Sequence, residues 1–510
     1  MTSARMEPEG AKQVQGPVDR PHGPAEAGAA PRMRLWMDVM RHLEPVMAEH
    51  QRLFDAWEAG GVDGLVIGPM AFEDKSYTFD PNPDVYRRFG VEPPAPGQGG
   101  DSLWWKRPDQ SGLQVPNVPA TVAEKRALLT RTLQAAKDRG WQLWLFCPHY
   151  GAGRAGGARG PIQVDEETRR VVAARLVDCM EQYPMADGAV LDGPEWGYEI
   201  APFHQDHRSF IFNDLPPSVA DGAARLGYDY DRMVAAKDRL YARLHQLTDR
   251  TVEIWDGGGF LGAFGLLGND AGLAEWLAFR LDSLTETYAH LRQLIRSHAQ
   301  RPILLAAGPR SAAWSSLCGY DYGRLGEVLD VMLCKHYFWH RGFDGLYGTV
   351  ARYVQTLTEW NPGLSERGAL RVVAALFGLE LPGIESLRDF DRGFPQEFFD
   401  RVVVRETRRA IAAMGDAERV CPWVDAGRKP HDGEPFTAHD LDRLLEAAGR
   451  AGLRRFLYHH HGNLTPGEWA VISARCGRPW QSTTSPRPGL EGYEASRSMP
   501  GYYPPDLAIL

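Results

Sequence analysis

The 510-residue sequence predicts an α/β protein built as a (β/α)8 TIM barrel with long βα-loop insertions. Three observations carry this. Short, nearly continuous apolar runs recur along the chain, as in strands buried on both faces. Amphipathic segments with helix-start signals separate them, which argues for parallel βα units. Polar and aromatic residues crowd in just after several of the runs, where barrel enzymes collect their functional groups.

The strand candidates are Met33–Val39, Gly64–Ile67, Gln142–Cys147, Gly188–Leu191, Ile303–Ala306, Val328–Cys334, Arg419–Val424 and Arg455–His459. Val252–Trp255 is a ninth apolar run, assigned to an insertion after the fourth strand. Among the helices, Thr121-Val-Ala-Glu124 reads as a capping box, and Asp165 to Glu167 place acid at a helix N-terminus. Val172, Leu176, Cys179, Met180 and Tyr183 share one face of that helix. Thr437 caps another helix, with Phe436 and Leu441 as a hydrophobic staple, and Thr465-Pro-Gly-Glu468 puts Pro466 at N1. Two connections are long. One covers about residues 69–120 and holds Trp104 and Trp105; the other runs through 361–395.

Residues 1–31 read as a disordered lead-in, 32–480 as the barrel with its insertions and 481–510 as a C-terminal tail. The formal charge of -9, from 57 basic and 66 acidic residues, is spread along the chain, so no basic stripe points to nucleic acid. No apolar run approaches a membrane span. Cys147, Cys179, Cys318, Cys334, Cys421 and Cys476 show no zinc-ligand spacing and read as reduced, buried small hydrophobes. The first residues lack the apolar core of a secretory signal, and a cytoplasmic location is expected.

The chemistry centres on Asp187-Gly-Ala-Val-Leu-Asp192-Gly-Pro-Glu195-Trp196-Gly-Tyr198-Glu199. A strand ends in one carboxylate, and a second follows three residues later among aromatics. Glycoside cleavage needs two carboxyls, one to protonate the leaving oxygen and one to act as nucleophile or base. The segment Asp187 to Asp192 resembles the fourth strand of glycoside-hydrolase barrels, which often read Asp-Gly-apolar-x-apolar-Asp with an acid close behind. In the chitinase-like family the following acid is the proton donor, and the resemblance implies that role for Glu195. The pattern differs in two places: Val190 stands where that family has another Asp, and Glu195 comes one position later. In the large retaining clan with Glu on strands four and seven, the strand-four Glu is also the acid/base; here strand seven ends in Asp425 instead. The resemblance is therefore to the superfamily, and no single family is implied.

Asp425, just beyond Trp423, is the leading second carboxylate; Asp192 and then Asp38 on strand one are alternatives. The expected substrate contacts are Lys335, His336, Tyr337 and Trp339 after strand six, His149 and Tyr150 after strand three, Arg310 after strand five, and Trp196 and Trp423 as stacking faces. On strand eight, alternation sends His459 and His461 to one side. They read as contacts to substrate, with a metal-dependent hydrolase or isomerase as the alternative. Neither metal nor cofactor is expected in the favoured reading. A third reading is a barrel that binds carbohydrate without cleaving it. Gly151-Ala-Gly153-Arg-Ala-Gly156 matches GxGxxG but does not open a helix, so it reads as a loop and not a nucleotide site.

Overall fold

The computed structural model describes residues 32–40, 43–68, 81–93, 121–148, 160–201, 210–338, 345–391, 393–424, 437–459, 461 and 464–480. Nine short strands form one sheet: β1 (Arg34–Val39), β2 (Val62–Ile67), β3 (Gln142–Pro148), β4 (Gly188–Asp192), β5 (Leu304–Ala307), β6 (Val331–Met332), β7 (Lys335–His336), β8 (Trp423–Val424) and β9 (Arg455–Tyr458). Their order is β6-β5-β4-β3-β2-β1-β9-β8-β7, and every ladder is parallel.

The two ends of this sheet are neighbours in sequence, separated only by Leu333 and Cys334. On one side, the Leu333 and Lys335 amides donate to the carbonyls of Ala307 and Pro309. On the other, the Cys421 and Trp423 amides donate to Met332 and Cys334. The sheet therefore curls back on itself. All eight strand runs expected from sequence contain a strand; the sixth holds β6, and β7 lies just beyond its expected end at Cys334. Val328, expected to begin the sixth strand, instead ends the helix Leu325–Val328.

Strand alternation sorts the side chains into two cores. Trp36, Val66, Trp144, Phe146, Val190, Ala306, Leu333, Tyr337, Trp423 and Leu457 pack together inside the curl. Leu35, Met37, Leu145, Leu191, Leu305, Cys334, Phe338 and Tyr458 face the surrounding helices. The inner tryptophans fit because glycines face them. A Cβ on Gly188 would lie 2.4 Å from Trp144, and one on Gly308 would lie 2.4 Å from Trp423.

The helix-start signals act as the sequence suggests. Asp165 accepts from the Thr168 amide and opens the helix Glu166–Gln182, which buries Val172, Leu176, Cys179 and Met180, with Tyr183 buried at its C-cap. Thr465 and Glu468 form a reciprocal capping box with Pro466 at N1. Thr121 and Thr437 cap their helices through the amides of Glu124 and Asp440; Phe436 of the expected staple lies outside the described residues.

Between β4 and β5 the described chain carries five helices, ending in the 28-residue Ala271–His298. The apolar run Val252–Trp255 is not a strand but the end of one of these, Asp249–Trp255. Thr248 and Thr251 cap that helix reciprocally, and this local signal outweighs the β-branched residues. All six cysteines are buried and none forms a disulfide. No helix among the described residues is long and apolar enough to cross a membrane.

Candidate active site

In a parallel sheet all strand C-termini lie at one end, and eight expected residues meet there. Asp192 closes β4 and follows Gly188 and Val190 on the inward-facing alternation. Lys335 opens β7 and faces inward between Leu333 and Tyr337. Its Nζ lies 3.0 Å from Asp192 Oδ1 and 5.9 Å from the Trp423 ring. Gly193, at φ 81°, then turns the chain toward Glu195, a left-handed conformation that a side chain would disfavour.

Glu195 meets Arg310, which leaves the end of β5. Arg310 Nη2 donates to Glu195 Oε1 at 3.0 Å, and both side chains are at most 5% exposed. The Tyr320 hydroxyl donates to Glu195 Oε2 at 3.5 Å and lies 3.4 Å from the Tyr288 hydroxyl. Burial raises both phenols well above their ordinary range, and for Tyr320 the Tyr288 hydroxyl and the charges of Glu195 and Asp192 add to this. They therefore stay protonated as donors. Gln163 Nε2 donates to the Pro194 carbonyl at 2.6 Å and fixes the backbone just ahead of Glu195.

Across the mouth, Asp38 on β1 pairs with His459, which follows β9. Asp38 Oδ1 also accepts from the Met40 amide at 2.8 Å. The Tyr337 ring stacks on His459 with centroids 5.3 Å apart, and Trp423 lies 5.9 Å from the same imidazole. The described mouth thus runs from Asp38 through His459 and Trp423 to Lys335, Asp192, Arg310 and Glu195.

Three expected contacts lie elsewhere. His336 is one residue from Lys335, so it points to the other face of the sheet, between Cys334 Sγ at 3.3 Å and the Phe338 ring at 5.0 Å. Burial alone lowers its imidazole to about 3, so it is a neutral core histidine. Trp196 turns away from the mouth. Its indole donates to Ser283 Oγ at 3.0 Å and packs on Phe279 and Arg280 of the Ala271–His298 helix. His461 does not share a side with His459, because β9 ends at Tyr458 and the alternation stops there. It packs on Trp57 of the helix His50–Ala59 instead. The described residues contain no group of three or more metal-binding side chains. Asp425, His149, Tyr150 and Trp339, and the Gly151–Gly156 run, lie outside the described residues.

The structure also supplies partners that the sequence reading did not assign. Tyr198, inside the quoted run, lies beneath Arg310, with the guanidinium 4.7 Å from its ring centroid. Tyr288, Tyr320 and Gln163 come from separate elements, and no local motif marks them.

No protein-family model and no curated protein matches this chain. Among solved structures it is similar to the PgaB (BpsB) glycoside hydrolase domain from Bordetella bronchiseptica, at 13% identity and TM-score 0.45, over 87% of this chain and 99% of that one. It is also similar to a class V chitinase from Pseudomonas fluorescens Pf-5, at 11% identity and TM-score 0.39 over 87% and 99% of the two chains. A GH18 chitinase from Pseudoalteromonas aurantia aligns at 10% identity and TM-score 0.36, over 86% of this chain and 98% of that one.

Proposed function

We propose that this chain is a glycoside hydrolase on a closed (β/α)8 barrel, acting on a carbohydrate at the C-terminal face of the sheet. The closure reading takes β6 and β7 as two halves of one strand, since that segment bonds to the β5 side and the β8 side at once.

One observation carries the functional reading. Asp192, Glu195, Arg310 and Lys335 are four nearly buried charged groups gathered at the strand C-termini. Removing ions from water costs several kcal/mol each, roughly, and apolar residues of the same size would serve stability as well or better. Buried, oriented charge at this end of a parallel sheet suits catalysis.

In this reading Glu195 moves the proton. It protonates the leaving oxygen as the glycosidic C–O bond breaks, while a second carboxylate attacks the sugar carbon or activates a water to do so. Asp425 directly follows Val424 of β8 and is the preferred second carboxylate; Asp192 is the other candidate. Arg310 stabilises Glu195 as an anion, so the donor form requires proton uptake as that contact loosens. Lys335 holds Asp192 as a fixed negative charge beside Trp423.

Turnover of a panel of chromogenic glycosides and oligosaccharides by the wild type and by Glu195→Gln tests this. The expected result is hydrolysis of at least one substrate with a poor leaving group, lost in the folded variant. Full activity in Glu195→Gln removes Glu195 from the role. Sugar binding without turnover in the wild type makes the chain a binding barrel.

A further inference from the structure

The eight residues from Asp192 to Glu199 contain three acids, and each is tied to a cation from a different element. Asp192 meets Lys335 at 3.0 Å, and Glu195 meets Arg310 at 3.0 Å. Glu199, 1% exposed, meets Arg352 Nε at 2.7 Å. The third pair is not at the mouth. It ties the segment to the helix Leu346–Trp360.

That tie is extensive. Glu199 Oε1 accepts the amides of Ile200 and Ala201 at 2.9 and 3.2 Å, which holds the carboxylate against its own backbone. Arg352 Nη2 donates to Thr349 Oγ1 at 3.0 Å, one turn earlier on the helix. Tyr353, next along that helix, donates its hydroxyl to the Tyr198 carbonyl. Between these anchors lies Tyr198, 1% exposed, and its ring is the surface on which Arg310 rests. Contacts therefore run without a gap from the helix, through Tyr198, to Arg310 and Glu195.

We propose that Tyr198 and Arg352 are positioning residues that hold the Arg310 guanidinium on Glu195, so that the proton affinity of the Glu195 carboxyl is set from the Leu346–Trp360 helix. This rests on the glycosidase reading only for its consequence in catalysis. The electrostatic coupling stands on the contacts alone. Among the described residues, the other charged or titratable groups near Glu195 include Tyr320 and Cys318 from the β5–β6 connection, Tyr288 from the Ala271–His298 helix, Asp192 on its own segment and Lys335 beyond it. Tyr288, Tyr320 and Cys318 are buried groups that burial keeps protonated, so they do not change charge near neutrality. Asp192 and Lys335 form a pair of opposite charges. Among the described residues, Arg310 is the cation in direct contact with Glu195, and its position can vary.

The test is a 13C titration of the full chain labelled at glutamate side-chain carboxyls, with the Glu195 signal assigned by its loss in Glu195→Gln. Arg310→Met should raise the midpoint by about 1–3 pH units, the usual effect of an opposite charge at this range. Tyr198→Leu and Arg352→Met, neither of which removes the guanidinium, should each raise it by at least about half a unit. Tyr198→Phe, which keeps the ring face, should restore it. A midpoint that moves in Arg310→Met but in neither other variant overturns the proposal. If Tyr198→Leu or Arg352→Met fails to fold, Arg352→Lys takes its place, with the same upward direction expected and an unmoved midpoint overturning the idea. The titration needs no turnover. A chain that hydrolyses no glycoside but shows these shifts would refute the glycosidase reading and leave this one standing.

Discussion

The two ends of the parallel strands both carry ion pairs, but in different surroundings. At the N-terminal end, Asp187 precedes β4, pairs with Lys137 and accepts from the Leu143 amide. These side chains are 29% and 37% exposed. Asp330 there pairs with Arg292 and accepts from the Leu305 amide, again with partial exposure. At the C-terminal end, Glu195 and Arg310 are 5% and 3% exposed, and Asp38 and His459 are 0% and 4%. The same strand, β4, thus runs from a solvent-screened acid at Asp187 to a desolvated one at Asp192. Screened pairs contribute little and cost little. Desolvated pairs are costly to bury and costlier to break. The difference sets the two ends of the sheet apart in the burial of their ion pairs.

Four changes would break or sharpen this contrast, the largest effect first. Glu195→Gln should lower kcat/KM on a glycoside with a poor leaving group by about 10²–10⁴-fold, the usual worth of a positioned proton donor. A thermal melt close to wild type would show that the loss is chemical. Lys335→Met removes the cation paired with the buried Asp192 and should cost about 3–5 kcal/mol in urea unfolding. A loss under 1 kcal/mol, roughly the value of a surface pair, would mean the mouth is wetter than the buried pairs imply.

His336 supplies an acid-side test, because it is buried like the mouth but has no charged partner among the described residues. Its native pKa of about 3 lies below the unfolded value of about 6.5. Between the two, the unfolded chain binds a proton that the native chain does not. Stability from this group is complete above about pH 6.5 and is lost as pH falls toward 3. At pH 5 the loss should be about 2 kcal/mol relative to pH 7, and His336→Gln should flatten that part of the urea-midpoint profile. An unchanged profile would place the imidazole in contact with water. The smallest effect belongs to the opposite end of the sheet. Lys137→Met should cost less than about 1 kcal/mol and leave turnover intact. A large effect there would erase the contrast between the ends.

Much of the architecture is legible in the residues. Each strand run is continuous and apolar because both faces are covered, and each capping signal acts within four residues of itself. The ninth run, Val252–Trp255, misleads because a short apolar stretch has no distinguishing period; the Thr248–Thr251 cap decides it as helix. Lys335, His336 and Tyr337 are consecutive and expected together, but strand alternation in the folded sheet takes His336 to the other face. For His459 and His461 the rule failed, because it holds only while the strand lasts, and β9 ends at Tyr458. Trp196 sits in the expected segment, yet its indole finds Ser283 on a helix that no nearby residue announces.

By itself the sequence determined the parallel strands, their helices and the acids at the end of β4, since periodicity, caps and strand ends are local properties of the chain. Only the tertiary structure decided which cation meets which acid. Arg310 is 115 residues from Glu195, and Arg352 is 153 from Glu199. Such pairs depend on which strand ends the curled sheet brings together and on the burial that strengthens their contacts, and neither is encoded in any window of the sequence.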